Sequence, residues 1–204
     1  MDIAAELRVS IREIGFAVRR PEELALRWRA RREPGHEQAA PSTLVFAVLL
    51  VNAVVGLAAY GLTMRMHAGA GPMLLSAVHA PLAAGAAWTI ALPALYIINS
   101  ALGSKLDFST TLLAALVTVS FGAMAMLASV PINWFFALAA PSPAVRLLVN
   151  GVVFAGVGVC MADVLLRVVR ALEPERPRTF AFIWLVLVGV IGGEFFHLLG
   201  VFSL

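Results

Sequence analysis

The sequence has few charged residues and only one cysteine. Asp, Glu, Lys and Arg make up 13% of its 204 residues, against about 25% in a typical soluble domain. Apolar residues make up 61% of the chain and the mean hydropathy is +0.91. A water-soluble fold could not bury so large a share of apolar residues. The single Cys160 excludes an intrachain disulfide and a multi-cysteine metal cluster. The composition therefore predicts a membrane protein.

Recognisable catalytic motifs are also missing. The sequence has no Gly-rich phosphate loop after a strand, no G-x-S-x-G nucleophile elbow and no H-E-x-x-H zinc motif. Serine and histidine residues such as Ser76 and His79 lie close in sequence, but the spacing of the sequence supplies no third residue that would complete a catalytic triad with them. The sequence gives no support for an enzymatic activity, and we expect a non-enzymatic protein.

The charges that are present concentrate near the N-terminus. Eight of the fifteen basic residues and seven of the twelve acidic ones precede Pro41. The net charge of +3 comes from arginines beside apolar segments, where they act as orientation signals, so we expect no nucleic-acid partner. The chain divides into an N-terminal arm, residues 1–42, and a transmembrane helical bundle, residues 43–204.

The arm has the pattern of two amphipathic helices. Apolar residues recur at helical spacing between residues 7 and 18, and Pro21 followed by two glutamates is typical of the first turn of a second helix. That helix is expected to end near residue 34. Interleaved arginine and apolar residues suit the lipid headgroup zone. The residues expected to contact lipid or a partner protein are Arg8, Arg12, Arg19, Arg20, Arg27, Arg29, Arg31 and Arg32.

Five apolar segments have the length of about 20 residues that a hydrocarbon core of about 30 Å requires. Residues 131–144, between the third and fourth segments, predict a short helix lying flat at the interface. The fold class is therefore all-α, a polytopic transmembrane bundle of about five spans preceded by an amphipathic cytoplasmic arm. The spans run from Leu44 to Thr63, Leu74 to Ile98, Thr110 to Val130, Val145 to Leu166, and Phe180 to Leu199.

Basic residues in short loops predict the orientation, because such residues stay on the cytoplasmic side. With the N-terminus inside, the arm, Lys105 and the arginines between residues 167 and 178 are cytoplasmic. Only Arg65 and Arg146 then lie on the other side. We expect a cytoplasmic N-terminus and a C-terminus on the opposite side of the membrane.

Three ionisable residues in or beside the spans are candidates for function, since such residues are costly in lipid. Glu194 and His197 share one face of the fifth span, and His79 begins the second, all towards the outer side. They fit structural hydrogen bonds, a proton or solute pathway, or a metal or haem site. A Glu-x-x-His pair is a di-iron ligand spacing, but the further carboxylates it needs are missing. We expect no metal and no cofactor.

Other polar residues in the spans predict structural contacts. Asp163 and Arg167 are four residues apart on one helix, which favours an ion pair. Asn52, Asn99 and Asn150 are of the type that links membrane helices by hydrogen bonds.

Small residues four apart predict close approach of helix backbones. They are Gly151, Ala155 and Gly156 on the fourth span and Gly189 and Gly193 on the fifth. We interpret them as intrachain packing rather than as a dimerisation face.

Pro21 opens an amphipathic segment before the first span, and Gly103, Ser104, Lys105 and Phe108 belong to a short turn that opens the third. In these features the layout resembles the bacterial branch of the Yip family of five-pass membrane proteins. The acidic Tyr-Gly-Pro signature of the eukaryotic members is absent, so their trafficking role does not carry over. The resemblance implies five helices and a non-enzymatic, lipid- or protein-binding role, in keeping with the bacterial cytoplasmic (inner) membrane.

Two hypotheses for function follow. The first is a membrane scaffold or adaptor whose basic arm engages membrane lipids and a protein partner or a second copy of the chain. The alternative is a small transporter, channel or cofactor-carrying redox subunit using His79, Glu194 and His197.

Overall fold

The computed structural model describes residues 15, 19–30, 44–140, 142–175 and 179–199. In these ranges the chain is helical and has no strand, which confirms the all-α fold class. Within the described residues a 3₁₀ turn, Met66–Ala68, joins the second and third of six α-helices. The helices are α1 (Pro21–Ala30), α2 (Leu44–Met64), α3 (Ala70–Ala101), α4 (Phe108–Ala139), α5 (Pro143–Leu172) and α6 (Thr179–Leu198).

Four of these helices, α2 to α5, are long and apolar enough to cross a membrane. This is the architecture of an integral membrane protein, as the composition predicts. The fifth predicted span coincides with α6. Among the described residues of α6, the apolar stretch is Val186–Leu198, which is shorter than a membrane span. That α6 crosses the bilayer therefore stays a prediction.

The long helices pack around a common centre. Helix α2 packs against both α3 and α4, α4 also packs against α5, and α3 packs against α6. Helices α5 and α6 make few contacts with each other. The bundle is therefore tightly packed around α2 and α4 and looser between α5 and α6.

Different helix ends lie together at the two ends of the bundle. The arm end contains α1, the start of α2, the loop between α3 and α4, and the end of α5, where Arg29 bonds to Leu172 and Ser104 to Glu173. The far end contains the end of α2 and the start of α5, linked by Tyr60 and Asn150. Consecutive long helices thus run antiparallel.

Two glycines of α2 allow close contact with its neighbours. A Cβ atom at Gly56 would collide with the backbone of Ala123 on α4, and one at Gly61 would lie 2.6 Å from the carbonyl oxygen of Ser76 on α3. The predicted close packing at four other glycines is wrong, because nothing lies within 4 Å of a Cβ atom built there. Those four are Gly151, Gly156, Gly189 and Gly193.

Helix α4 is longer than predicted. The expectation of a separate, flat helix over residues 131–144 is wrong, because α4 continues through Pro131 to Ala139. Asn133 in this extension is buried and donates a hydrogen bond of 2.8 Å to the hydroxyl of Thr63. This contact with α2 stabilises the last turns of α4. Helix α5 then begins at Pro143, capped by Ser142.

Candidate functional site at the arm end

Helix α1 has the charge distribution that stabilises a short helix. Pro21 occupies its first position, Glu22 and Glu23 lie in its first turn, and Arg27 and Arg29 lie in its last turn. Acidic residues near a helix N-terminus and basic residues near its C-terminus complement the helix dipole. The predicted start at Pro21 is confirmed, whereas the predicted end near residue 34 and the first arm helix lie outside the described residues.

One face of α1 is buried against the bundle. The indole Nε1–H of Trp28 donates a hydrogen bond of 2.9 Å to the hydroxyl of Ser109 on α4. The indole ring packs edge-on against the ring of Phe46 on α2, with the ring centroids 4.8 Å apart. Leu24 and Ala25 are buried beside it. The core cluster that these residues join also contains Val45, Leu49, Leu113, Ala114, Val117, Val164, Val168 and Leu172.

Charged groups add to this docking. The guanidinium of Arg29 donates a hydrogen bond of 2.6 Å to the carbonyl oxygen of Leu172, one of the last carbonyls of α5. Arg167 of α5 lies 3.0 Å from Asp163, which confirms the predicted ion pair, and 3.6 Å from Glu22 of α1. The arm helix is thus fixed to the bundle by apolar and by polar contacts.

The other face of α1 is exposed and basic. Leu26 and Arg27 lie there. Arg19 and Arg20, which directly precede α1, are exposed as well, and Arg20 pairs with Glu23 at 2.8 Å on the surface. The remaining arm arginines that the sequence singled out, Arg8, Arg12, Arg31 and Arg32, lie outside the described residues.

The loop between α3 and α4 is attached to the end of α5. The carboxylate of Glu173 accepts hydrogen bonds from the hydroxyl of Ser104 at 2.9 Å and from the backbone N–H of Lys105 at 3.0 Å. Gly103 adopts a φ of +85°, and Asp107 caps α4 by accepting from the N–H of Thr110. The side chain of Lys105 is exposed, so this loop adds a cation to the arm end.

A chain of buried hydrogen bonds connects three helices at the far end. Asn133 donates to Thr63, whose hydroxyl donates at 2.7 Å to the carbonyl oxygen of Tyr60. The hydroxyl of Tyr60 donates at 2.8 Å to the side-chain oxygen of Asn150, and the amide of Asn150 donates to the carbonyl oxygen of Arg146. The predicted linking role of Asn150 is confirmed, and that of Asn52 as well, since its amide donates to Ser120.

The three predicted ionisable residues have different surroundings. His79 is partly buried, and its Nδ1 lies at a hydrogen-bonding distance of 3.0 Å from the carbonyl oxygen of Leu199. Glu194 and His197 are exposed and make no hydrogen bond or ion pair within the described part of the chain. In the same residues, no three His, Cys, Asp or Glu side chains are grouped so that they hold a metal ion.

His67 lies outside the spans, in the 3₁₀ turn at the far end. Its pKa is lowered from the ordinary value by partial burial and by the positive charges of Arg146 and Arg65. The far end therefore disfavours a further positive charge at this position.

Two apolar clefts open into the bundle. The central cleft, of about 390 Å³, is lined by α2 to α6, and the arm-side cleft, of about 550 Å³, is lined by α2, α3 and α4. Glu194 and His197 line neither cleft. Four residues belong to the walls of both clefts: Leu57, Ala84, Trp88 and Val119.

Sequence reasoning missed Tyr60, Asn133 and both clefts. A tyrosine and an asparagine in otherwise apolar segments were a usable signal, since buried polar groups in membranes need partners. The clefts left no such signal, because their walls are apolar like the rest of the helices. Comparison of the chain with known protein families, with curated proteins and with solved structures gave no match.

Proposed function

We propose that this chain is a non-enzymatic membrane scaffold or adaptor protein of the Yip type. Its basic arm binds anionic lipid headgroups and an acidic surface of a partner protein at the cytoplasmic face of a bacterial inner membrane.

The docking of α1 is the observation that carries this proposal. Its apolar face is buried through Leu24, Ala25 and Trp28, while Arg27 on the helix and Arg19 and Arg20 directly before it remain exposed. A helix held in this way presents its arginines in a fixed position without losing the conformational entropy of a free arm on binding. Each basic residue near an anionic membrane surface contributes about 1 kcal/mol.

The distribution of charge along the bundle supports the cytoplasmic placement. Besides the arm, Lys105, Arg167 and Arg170 lie at the arm end, whereas Arg65 and Arg146 are the lysine or arginine residues that the described part of the chain places at the far end. Basic residues in short loops are retained in the cytoplasm. The arm end is therefore the cytoplasmic end in this proposal.

The turn before α4 supports the family resemblance. Gly103 has a left-handed backbone, Ser104 and Lys105 hold Glu173, and Asp107 caps the helix that begins at Phe108. Each matched position of this short turn thus has a structural role.

Deleting the arm does not test the proposal cleanly, because it uncovers the apolar surface on which Trp28 lies. A better variant combines Arg19→Gln, Arg20→Gln and Arg27→Gln and keeps the buried face intact. Arg65→Gln with Arg146→Gln is the control, since it removes positive charge from the far end. Each full-length chain is crosslinked in native membranes, purified and examined by mass spectrometry for attached proteins and anionic lipids.

We expect the arm variant to lose a partner protein with an acidic surface and its excess of anionic lipid, and the control to keep both. Unchanged attachment in the arm variant, or an equal loss in the control, would overturn the proposal.

A further inference from the structure

The arm-side cleft opens sideways from the bundle at the depth of the hydrocarbon core. All its lining residues belong to α2, α3 and α4, which are helices of membrane-spanning length and hydropathy. Leu50, Val54 and Phe108 in its walls are 53%, 45% and 44% exposed, so the cleft faces the surroundings rather than the bundle interior. In a bilayer those surroundings are lipid acyl chains.

The shape of the cleft fits a chain rather than a compact molecule. On α2 its lining runs from Phe46 to Leu57, and on α4 from Phe108 to Val119. Each stretch rises about 16 Å at 1.5 Å per residue, which is roughly half of a hydrocarbon core of about 30 Å. Since both stretches begin at the arm end, the cleft spans the leaflet on that side.

Cations lie at the arm end of the bundle, where the cleft begins. The loop that carries Lys105 joins α3 to α4, two helices that line the cleft. Phe46 of the cleft wall contacts Trp28, so α1 with its exposed arginines lies next to the same opening. An anionic headgroup at this position complements the charge, whereas a zwitterionic one gains less.

We propose that the arm-side cleft binds one acyl chain of an anionic phospholipid, whose headgroup lies beside Lys105 and α1. The bound chain fills a cleft that is too apolar to hold ordered water and restores the dispersion contacts that an empty cleft forfeits. Trp88, in the wall shared with the central cleft, borders the inner side of this site.

Gly85 provides a direct test because it lines the cleft and nothing lies within 4 Å of a Cβ atom built on it. The Cβ atom of a leucine at this position meets open space at the cleft wall. Gly156→Leu is the matched control: Gly156 is also exposed in the middle of a long helix, has the same open space and lines neither cleft.

The probe is phosphatidylglycerol with a photoactivatable group in its acyl chain, reconstituted with the full-length chain in nanodiscs. Phosphatidylcholine with the same acyl chain is the charge control. We expect crosslinks to map to the cleft walls and to fall about fivefold or more in Gly85→Leu, because the leucine takes part of the volume that the acyl chain needs. Gly156→Leu should label as the wild type does.

Lys105→Gln tests the headgroup separately and should reduce the preference for phosphatidylglycerol over phosphatidylcholine by about fivefold. Wild-type labelling in Gly85→Leu, or crosslinks spread evenly over the outer faces of the helices, would overturn the proposal. A change of oligomeric state in Gly85→Leu with unchanged labelling would assign the cleft to a second copy and also overturn it. These variants leave the arm arginines in place. Their results therefore test the lipid site in the cleft and do not decide the scaffold proposal.

Discussion

The carboxylate of Glu173 accepts a hydrogen bond of 2.9 Å from the hydroxyl of Ser104, across 69 residues of sequence. The same oxygen accepts from the backbone N–H of Lys105 at 3.0 Å. One carboxylate at the end of α5 therefore holds the loop between α3 and α4. The cation of Lys105 and the end of the arm-side cleft are positioned by this contact.

Ser104→Ala should lower the free energy of unfolding by about 1 kcal/mol, because a hydrogen bond to a charged acceptor is lost. Thermal unfolding of the detergent-purified chain measures the change. Lys105→Gln is the control, since it keeps the backbone N–H that bonds to Glu173 and should leave stability unchanged. An equal loss in both variants would show that the hydroxyl of Ser104 contributes nothing of its own.

Tyr60→Phe should destabilise the far end, because it removes the donor to Asn150 and leaves that amide oxygen buried without its partner. Hydrogen bonds between membrane helices contribute about 0.6 kcal/mol on average, and an unpaired buried acceptor adds to this, so we expect a loss of about 1 kcal/mol.

Tyr96→Phe is the matched control for this variant. The ring of Tyr96 packs edge-on against Phe108, but its hydroxyl makes no hydrogen bond within the described residues. Thermal unfolding should separate the two variants, and equal midpoints would contradict the assigned role of the bond between Tyr60 and Asn150.

The positions of the helices were predictable because a membrane span needs about 20 apolar residues, although α3, α4 and α5 extend past their predicted spans to 32, 32 and 30 residues. The apolar run beginning at Leu44 gave both bounds of α2 closely, and Pro21 gave the start of α1. The end of α4 was not predictable in this way. The proline at position 131 suggests a helix end in the sequence, whereas in the structure the helix continues and Asn133 beyond it bonds to Thr63 of α2.

The rotation of each helix about its axis was the least predictable feature. A membrane helix is apolar on all sides, so sequence alone does not tell which glycine faces a neighbour. Gly56 and Gly61 do so, whereas Gly189 and Gly193 line the central cleft instead. The candidate site shares this limit, because the arm arginines were visible in sequence and the cleft between three helices was not.

Gly61→Ala should destabilise the bundle. A methyl group there lies 2.6 Å from the backbone oxygen of Ser76, so α2 and α3 must move apart. Overpacking of this kind costs about 1–3 kcal/mol. Gly85→Ala on α3 is the control: it meets open space and gains up to about 1 kcal/mol of helix propensity. Thermal unfolding midpoints should move in opposite directions, and a neutral Gly61→Ala would contradict the close contact between α2 and α3.

The titration of His67 offers a test at the far end. Burial and the charges of Arg146 and Arg65 hold its pKa below the ordinary value of 6.5. The unfolded chain therefore binds this proton more tightly than the folded chain does. The stability that neutral His67 contributes is present above pH 6.5 and is lost as the pH falls through the lower, folded pKa.

Nuclear magnetic resonance of a chain labelled at histidine measures this pKa directly. Arg146→Gln should raise the pKa of His67 towards its ordinary value because one of the two repelling charges is removed. Arg170→Gln at the arm end is the control and should leave the pKa unchanged, since that charge lies at the other end of the bundle. A pKa of His67 that stays the same in Arg146→Gln would contradict the proximity of α5 to the turn at His67. In that case burial and the charge of Arg65 would account for the lowered pKa.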